Sequence, residues 1–529
     1  MQIHLIPVFR EWIPEWLART LIFGILMTSL FSFAAYSSPA AVMGYYGVEP
    51  ADVQYGMVIT YGSAVTFLAL DFRIVKYFTS RKYLLTGLIL NSVSSLACFY
   101  SKSWILFLLS GFVQGIACAL LCSIVLQMTF PRLHSTRARI IGYTLLYAGI
   151  QISVPFYAIY SSIMLQFFDF NWLFYGQNVV LMAMAVIVWV TMNAKARFHK
   201  KFPLFQVDWA GYFFYTLFCL TLGYILVYGR QSGWFDSSVI TVLSIFAVVL
   251  LTIFIAREMS VKRPLINLRI FRTGNCIIGL LLLVVFYIFK GTTGLTYAYV
   301  ETILKTDPLH TIPMWISVIM GTVLSMFVTS RLLLSGTPLV RLILSGFVIM
   351  ALYYFYMLEF VSVTGDSTDF IFPLFIYGVA TGVLFVPIVT FTASAAPPSI
   401  AFNASLIGIF SRFVGFCISI AINNQVQLLT KSSAREQIRE SVEATNSRLP
   451  LVLEDIRSSY LNAGNDVYNA QEASQIHFNS LIKEQILIRA TRDYYYIMLA
   501  GLLCILLILF LLPKIRKVVL NLRKGNIPY

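Results

Sequence analysis

Two basic side chains, Lys290 and Arg412, lie inside long apolar runs of this chain. A charge near the centre of a bilayer costs about 2.5–3.5 kcal/mol on insertion scales, so such a group usually faces a polar cavity. Arg412 is some twelve residues from either end of its run, about 18 Å of helix, which is too far to reach water by extending along the surface. At 100° per residue its face also carries Ser405, Gly408, Gly415, Ser419 and Asn423, a polar and small stripe. That face suits a transport pathway, or equally an arginine bonded to carbonyls of neighbouring helices. Lys290 shares its predicted face with Tyr297 and Glu301. Lys290 and Glu301 are about 16 Å apart along such a helix and cannot pair directly. Lys290 is then either a cavity lysine that binds acidic groups or changes protonation, or one that extends to the outer interface. Glu301 is a candidate titrating group at the outer mouth. No Asp or Glu sits centrally in the first six runs, and Asp52 and Asp71 mark the two ends of the second.

Weaker lining candidates are Gln114 and Tyr157. Gln114 lies beside a small-residue face, Gly111, Gly115, Ala119 and Ser123, whose four-residue spacing permits close helix packing. Tyr157 follows Tyr143, Tyr147 and Gln151 in a run that Pro155 is expected to break. Other chemistry has little to stand on. There is no phosphate-cradling glycine loop, no zinc-protease motif and no Ser/His/Asp grouping, and the five histidines are scattered in loops and tails. The seven cysteines fall in or beside apolar runs and read as packing residues, without a metal or cofactor. An enzyme is not indicated.

These residues must be positioned by membrane helices. The chain has 529 residues, 59% hydrophobic and 12% charged. Soluble domains average about 45–50% apolar and 25% charged. The expected spans are 20–40, 54–71, 83–100, 104–128, 140–163 and 173–192, then 210–228 and 238–256. The second half follows at 276–298, 312–331, 340–360, 370–391, 400–425 and 493–513. Pro313, Pro373 and Pro387 are expected to interrupt the tenth and twelfth. This gives an all-α protein of fourteen spans in a 6+2+6 order: a first half at 1–192, a linker with two extra helices at 193–275, and a second half at 276–529. The central pair carries no buried charge in this reading. Residues 426–492 form a long outside loop, read as a helical hairpin turning at Asn462–Asn465. That loop either caps the second half or contacts a partner.

The net charge of +15 sits in short loops between spans, not on a soluble face, so nucleic acid is not an expected partner. Arg73, Lys76, Arg81 and Lys82, the 195–201 and 257–272 loops and the C-terminal tail all fall on one side. The positive-inside rule then places both termini in the cytoplasm, and the expected location is the plasma (inner) membrane, multi-pass.

The chain resembles the major facilitator superfamily, and within it the fourteen-span drug:proton antiporters of the EmrB/QacA type. The resemblance rests on Asp208-Trp209-Ala210-Gly211 before the seventh span, Gly233-Trp234 in the following loop, and Glu258 with Pro264 to Arg272 after the eighth. Gln114-Gly115 in the fourth span, Pro155 in the fifth, and Asn403, Arg412 and Gly415 in the thirteenth also match. The loop after the second span departs from the family's Gly-x-Leu-Ala-Asp-Arg-x-Gly-Arg-Arg. It keeps basic residues, Arg73 and Arg81 among them, but lacks both glycines and the Asp. The resemblance implies a secondary transporter that exports amphipathic organic compounds or drugs by alternating access. Lys290, Arg412, Glu301, Gln114, Tyr157 and Tyr297 would serve the pathway or coupling, and Arg73, Arg81, Gly115, Pro155 and Gly415 the packing or gating. It implies a small organic substrate, protons as coupling ion and a periplasmic adaptor subunit as partner. A facilitator or importer of an anionic metabolite stays open, as does a transport-inactive sensor or assembly subunit.

Overall fold

Hydrocarbon offers backbone amides and carbonyls no water, so apolar runs of this length must close their hydrogen bonds within helices. A computed structural model of the protein describes residues 7–129, 138–197, 204, 207–304, 306–361, 366–394, 401–441, 449–464 and 466–511. Among these residues the chain is helical, apart from one isolated bridge between Phe9 and Met192. The first block comprises α1 (Glu15–Ser29), α2 (Pro39–Tyr46), α3 (Pro50–Ile74), α4 (Ser80–Tyr100), α5 (Trp104–Thr129), α6 (Ala138–Phe167) and α7 (Trp172–Thr191). The central pair is α8 (Trp209–Tyr228) and α9 (Ser238–Ser260). Then come α10 (Gly274–Lys290), α11 (Thr293–Thr302), α12 (Ile312–Ser335), α13 (Leu339–Phe360), α14 (Ile371–Ser394), α15 (Ala401–Ser441), α16 (Leu449–Asn462) and α17 (Val467–Leu511). Among the described residues thirteen helices are long and apolar enough to cross a membrane, or up to fourteen if the bent first pair is one span.

Two expected spans are not straight helices. The first bends by 45° after Ser29, where a 3₁₀ segment, Phe31–Ser37, begins. The Thr28 and Ser29 hydroxyls donate back to the Ile25 and Leu26 carbonyls, an interaction that competes with the helical ladder. The ninth stays one span, Gly274–Glu301, but its helix pauses between Lys290 and Thr293, with Lys290 before the pause and Tyr297 and Glu301 after it. The prolines act in the opposite sense to expectation. Both α6 and α14 run through Pro155 and Pro387 without a break, and Pro313 and Pro373 lie in first turns. A first-turn proline gives up an amide that had no helical partner.

The central pair packs α8 against α3 on one side and α15 on the other. Ring contacts Tyr55–Tyr224 and Tyr215–Phe410 mark these two seams. Contrary to the sequence reading, the pair does carry buried charge. Asp208 caps α8 by accepting from the Gly211 amide at 3.0 Å, and it pairs with Arg257 at 2.7 Å. Glu258 is buried and accepts from the Ile266 amide at 2.8 Å. These contacts fold the 261–272 loop inward, burying Leu265, Ile266 and Ile270.

The expected outside loop is not separate from the spans beside it. The helix α15 has 41 residues and α17 has 45. At 1.5 Å per residue these are about 61 and 67 Å long, roughly twice a hydrocarbon core. Both continue beyond the bundle at the end opposite the 257–272 loop. They pack there on each other, and α16 packs on α17, to make a helical arm with Ala434, Ile438, Ala470 and Ser474 buried inside it. The expected turn falls at Gly464, where φ is +89°.

Close helix approach depends on Gly115. A Cβ there would overlap the Ser63 hydroxyl and the Thr60 carbonyl of α3. Gly115→Leu is therefore expected to lose folded, monodisperse protein in detergent, while Gly44→Ala, which meets nothing within 4 Å, keeps it. At Asp208 burial works to raise the carboxyl's pKa, but the Arg257 hydrogen bonds and the Gly211 amide outweigh it and hold it below the ordinary carboxylate value. A depressed folded pKa contributes stability that is present above the unfolded value and lost as pH falls through the folded one. Asn caps a helix about as well as Asp, so Asp208→Asn should cost about 1 kcal/mol at pH 7 through loss of the charge paired with Arg257. Thermal melts in detergent should show that gap closing as pH drops below about 4.

Candidate functional site

Arg412 lies in the first third of α15 and reaches across the seam to the first block, while Ser419 and Asn423 on the same face bond to α10. Arg412 is 5% exposed. Its Nε donates to the Gly408 carbonyl at 3.3 Å, and an Nη donates to the Tyr147 hydroxyl of α6 at 3.3 Å. The guanidinium also lies 5.1 Å from the Tyr147 ring centre and 5.5 Å from that of Phe385 on α14. Tyr61 of α3 and Tyr287 of α10 flank it. Lys290 donates to the Gln151 Oε1 of α6 and lies 5.3 Å from the Tyr287 ring centre. It is half-buried although it lies deep in a span, so its free surface opens between helices.

The first block thus contributes Tyr61, Tyr147 and Gln151, and the second contributes Tyr287, Lys290, Phe385 and Arg412. Among the described residues neither cation has a carboxylate partner. Two positive groups held near each other by rings and neutral oxygens are an arrangement able to attract negative charge. The buried Gln151 Nε2 has no partner and is a further donor there.

Contacts between the blocks close the seam at both ends. At the arm end Gln54 and Asn424 exchange amide hydrogen bonds of 3.2 and 2.8 Å, and Ser162 meets Thr311 at 3.3 Å. At the other end Arg73 donates to the Arg263 and Pro264 carbonyls, and the Asn267 amide donates to Asn403 Oδ1 at 3.0 Å. The loop after the central pair therefore touches both α3 and α15.

The other predicted residues lie elsewhere. Gln114 is buried between α4 and α5, where it donates to Ser95 Oγ at 3.4 Å. Tyr157 stacks on Phe31 at 4.6 Å inside the first block, its hydroxyl buried without a partner. Tyr297 stacks on Trp315 at 3.6 Å. Glu301 is exposed at the end of α11. Arg81 covers the Trp189 ring at 5.3 Å. Gly415 faces the α10 backbone, where a Cβ would stand 3.0 Å from Val284 and Tyr287. Pro155 is buried in a continuous helix.

Sequence reasoning missed Asp71. It does end its span, Pro50–Asp71, as expected, but it is fully buried there, with both carboxylate oxygens unpartnered and Ser123 and Cys122 of α5 as neighbours. Its position three residues before the helix end, next to Arg73, made it look interfacial. Gln151 and Tyr287 were visible as Tyr147 plus four and Lys290 minus three, the helical spacing of a shared face.

A helical membrane bundle with a charged, aromatic-lined centre between two blocks is the architecture of a solute transporter. The chain belongs to the Major Facilitator Superfamily, whose family model matches residues 20–422. It is 24% identical over 380 residues to the multidrug export protein EmrB of Escherichia coli K12, covering 69% of this chain and 70% of that protein. It is also 24% identical over 234 residues to the fatty acid resistance protein FarB of Neisseria gonorrhoeae, covering 42% and 43%. Among solved structures, a POT family transporter in complex with 5-aminolevulinic acid superposes with a TM-score of 0.59 at 14% identity, covering 94% and 96%. That likeness extends to the fold.

An unpaired buried charge is costly, and removing it leaves its hydroxyl and carbonyl partners little worse off. Arg412→Met should hold or raise the melting temperature of the substrate-free protein in detergent. A fall of many degrees would mean that Arg412 serves the fold.

Proposed function

We propose that the chain is a secondary exporter of amphipathic organic compounds whose preferred cargo carries a negative charge. The observation that carries this reading is the pair of cations, buried Arg412 and half-buried Lys290, which share a ring-lined site and contact no carboxylate among the described residues. A hydrophobic acid supplies the missing counter-charge to the cations and apolar surface to Tyr61, Tyr287 and Phe385. Charge-assisted hydrogen bonds of this kind contribute about 1.5–3 kcal/mol each. The names of relatives, a multidrug exporter and a fatty acid resistance protein, support both halves of the reading.

The two six-helix blocks, 1–192 and 276–529, would rock about this site, with the 193–275 linker bridging them and both termini in the cytoplasm. The end carrying Arg73 and Asn403 would then be the inner gate, and the Gln54–Asn424 pair the outer one. Asp71 is the group we assign to proton coupling, since a buried carboxyl with two unpartnered oxygens is a place a proton can occupy. The arm exposes Leu451, Tyr468 and Ile476, which supports its use as the contact for an adaptor subunit.

Everted membrane vesicles test the reading. Accumulation of radiolabelled laurate should exceed that of dodecyltrimethylammonium. Lys290→Met and Arg412→Met should each lower laurate flux roughly tenfold or more, the worth of one charged hydrogen bond. Asp71→Asn should leave a flux that no longer follows an imposed pH gradient. Preferred transport of the cation, unchanged in both variants, would remove the anion assignment.

A further inference from the structure

The break in the ninth span falls at the site lysine, and its backbone is held from every side. Between Lys290 and Thr293 the helical ladder is interrupted, with the Leu295 amide reaching only to the Thr292 carbonyl. Freed carbonyls in the membrane interior need other donors. Four consecutive ones find them on four sites of neighbouring helices. Ser419 of α15 donates to Ile288, Tyr354 of α13 to Phe289, and Tyr377 of α14 to Lys290 itself, each at 2.9 Å. The Asn423 side chain of α15 donates to Gly291 at 3.3 Å. Gly291 has no room for a side chain, since a Cβ would overlap the Ser419 hydroxyl.

One of the four donors differs from the rest. The Asn423 Oδ1 accepts a hydrogen bond from the Tyr494 hydroxyl of α17. This amide therefore joins three helices at one point: α10 through Gly291, α15 through its own backbone, and α17 through Tyr494. Helices α15 and α17 are also the two that leave the bundle to build the arm, and Asn423 and Tyr494 lie where they emerge. The other clamps on Phe289 and Lys290 come from α13 and α14, which end within the bundle.

We infer that Asn423, held by Tyr494, is a positioning residue for Lys290 and links occupancy of the central site to the packing of the arm. Cargo that draws on the Lys290 ammonium pulls on the last residue of α10, just where the ladder that would tie it to the next turn is interrupted. The pull reaches Asn423 through Gly291 and passes to both arm helices at their base. By reciprocity, anything that fixes the arm changes affinity at Lys290 by the same factor. The proposal rests on Lys290 being a site residue, as assigned above, and its test separates the two.

Purified full-length protein is compared by hydrogen–deuterium exchange with and without laurate, and laurate affinity is titrated in parallel. In the unaltered protein laurate should slow exchange both at residues 288–296 and in the arm, at 426–441 and 467–490. Tyr494→Phe, which removes one hydroxyl, should weaken laurate binding about fivefold, the worth of a single hydrogen bond. It should keep the ligand response at 288–296 and lose it in the arm. Tyr377→Phe, which loosens the Lys290 carbonyl from α14, should weaken binding to a similar degree yet keep the arm response. If laurate binds and the arm responds equally in the unaltered and Tyr494→Phe proteins, or does not respond at all, the link is overturned while the anion site stands. If laurate binds unchanged in Lys290→Met, or not at all, the anion reading fails instead. The link is then judged without ligand, by whether Tyr494→Phe speeds exchange at 292–296. Unaltered exchange there overturns it.

Discussion

Every backbone carbonyl that lies in hydrocarbon must find its donor within the protein. This constraint organises the fold more strictly than apolar packing does, because lipid tails solvate leucine about as well as another leucine would. Where the ladder is intact the constraint is met locally, and the helix can tilt or shift as a unit. Where the ladder breaks, at residues 290–293, the constraint recruits hydroxyls and amides from three neighbouring elements and ties them to one place. A local defect in hydrogen bonding thus becomes the most cross-linked point in the second block.

Charge is distributed by the same economy of partners. At the basic end Asp208 and Arg257 neutralise each other, and Glu258 is answered by a backbone amide. In the centre the two cations are answered only by neutral dipoles and ring faces. The first arrangement holds a loop in place and the second leaves a demand for negative charge. Asp71 is the complementary case, a buried carboxyl in the first block with no cation paired to it among the described residues. The two blocks therefore carry unmatched groups of opposite kind, at separate depths, with a closed seam between the cations.

Much of this was legible in the sequence because membrane spans are written as long apolar runs. Span order, the central pair and the two embedded cations follow from length and composition alone. The broken helices were not legible. A Gly-Thr-Thr run after Lys290 looks no weaker than the proline at 155 or 387, yet the prolines sit in continuous helices and the glycine does not. What decides is whether neighbours can supply donors, and that is a property of other segments. The same holds for Glu301 and Tyr297, whose predicted face presumed an unbroken helix, and for Asp71, whose burial depends on α5 covering the end of α3. Gln114 and Tyr157 show the converse limit: polar and aromatic residues of the right type pointed into their own block, a choice that helix rotation makes and periodicity leaves open.

The continuity of α15 and α17 across the membrane boundary has a mechanical consequence. A helix rotates about a point within the bundle, and its far end travels in proportion to its length. Each of these helices extends about 30 Å past the hydrocarbon, so a tilt of about 10° inside becomes a sweep of roughly 5 Å at the tip. Two such rods joined by α16 behave as a lever with its fulcrum near Asn423. Motion too small to notice among packed side chains is thereby enlarged at a surface far from the bilayer, where another molecule can meet it.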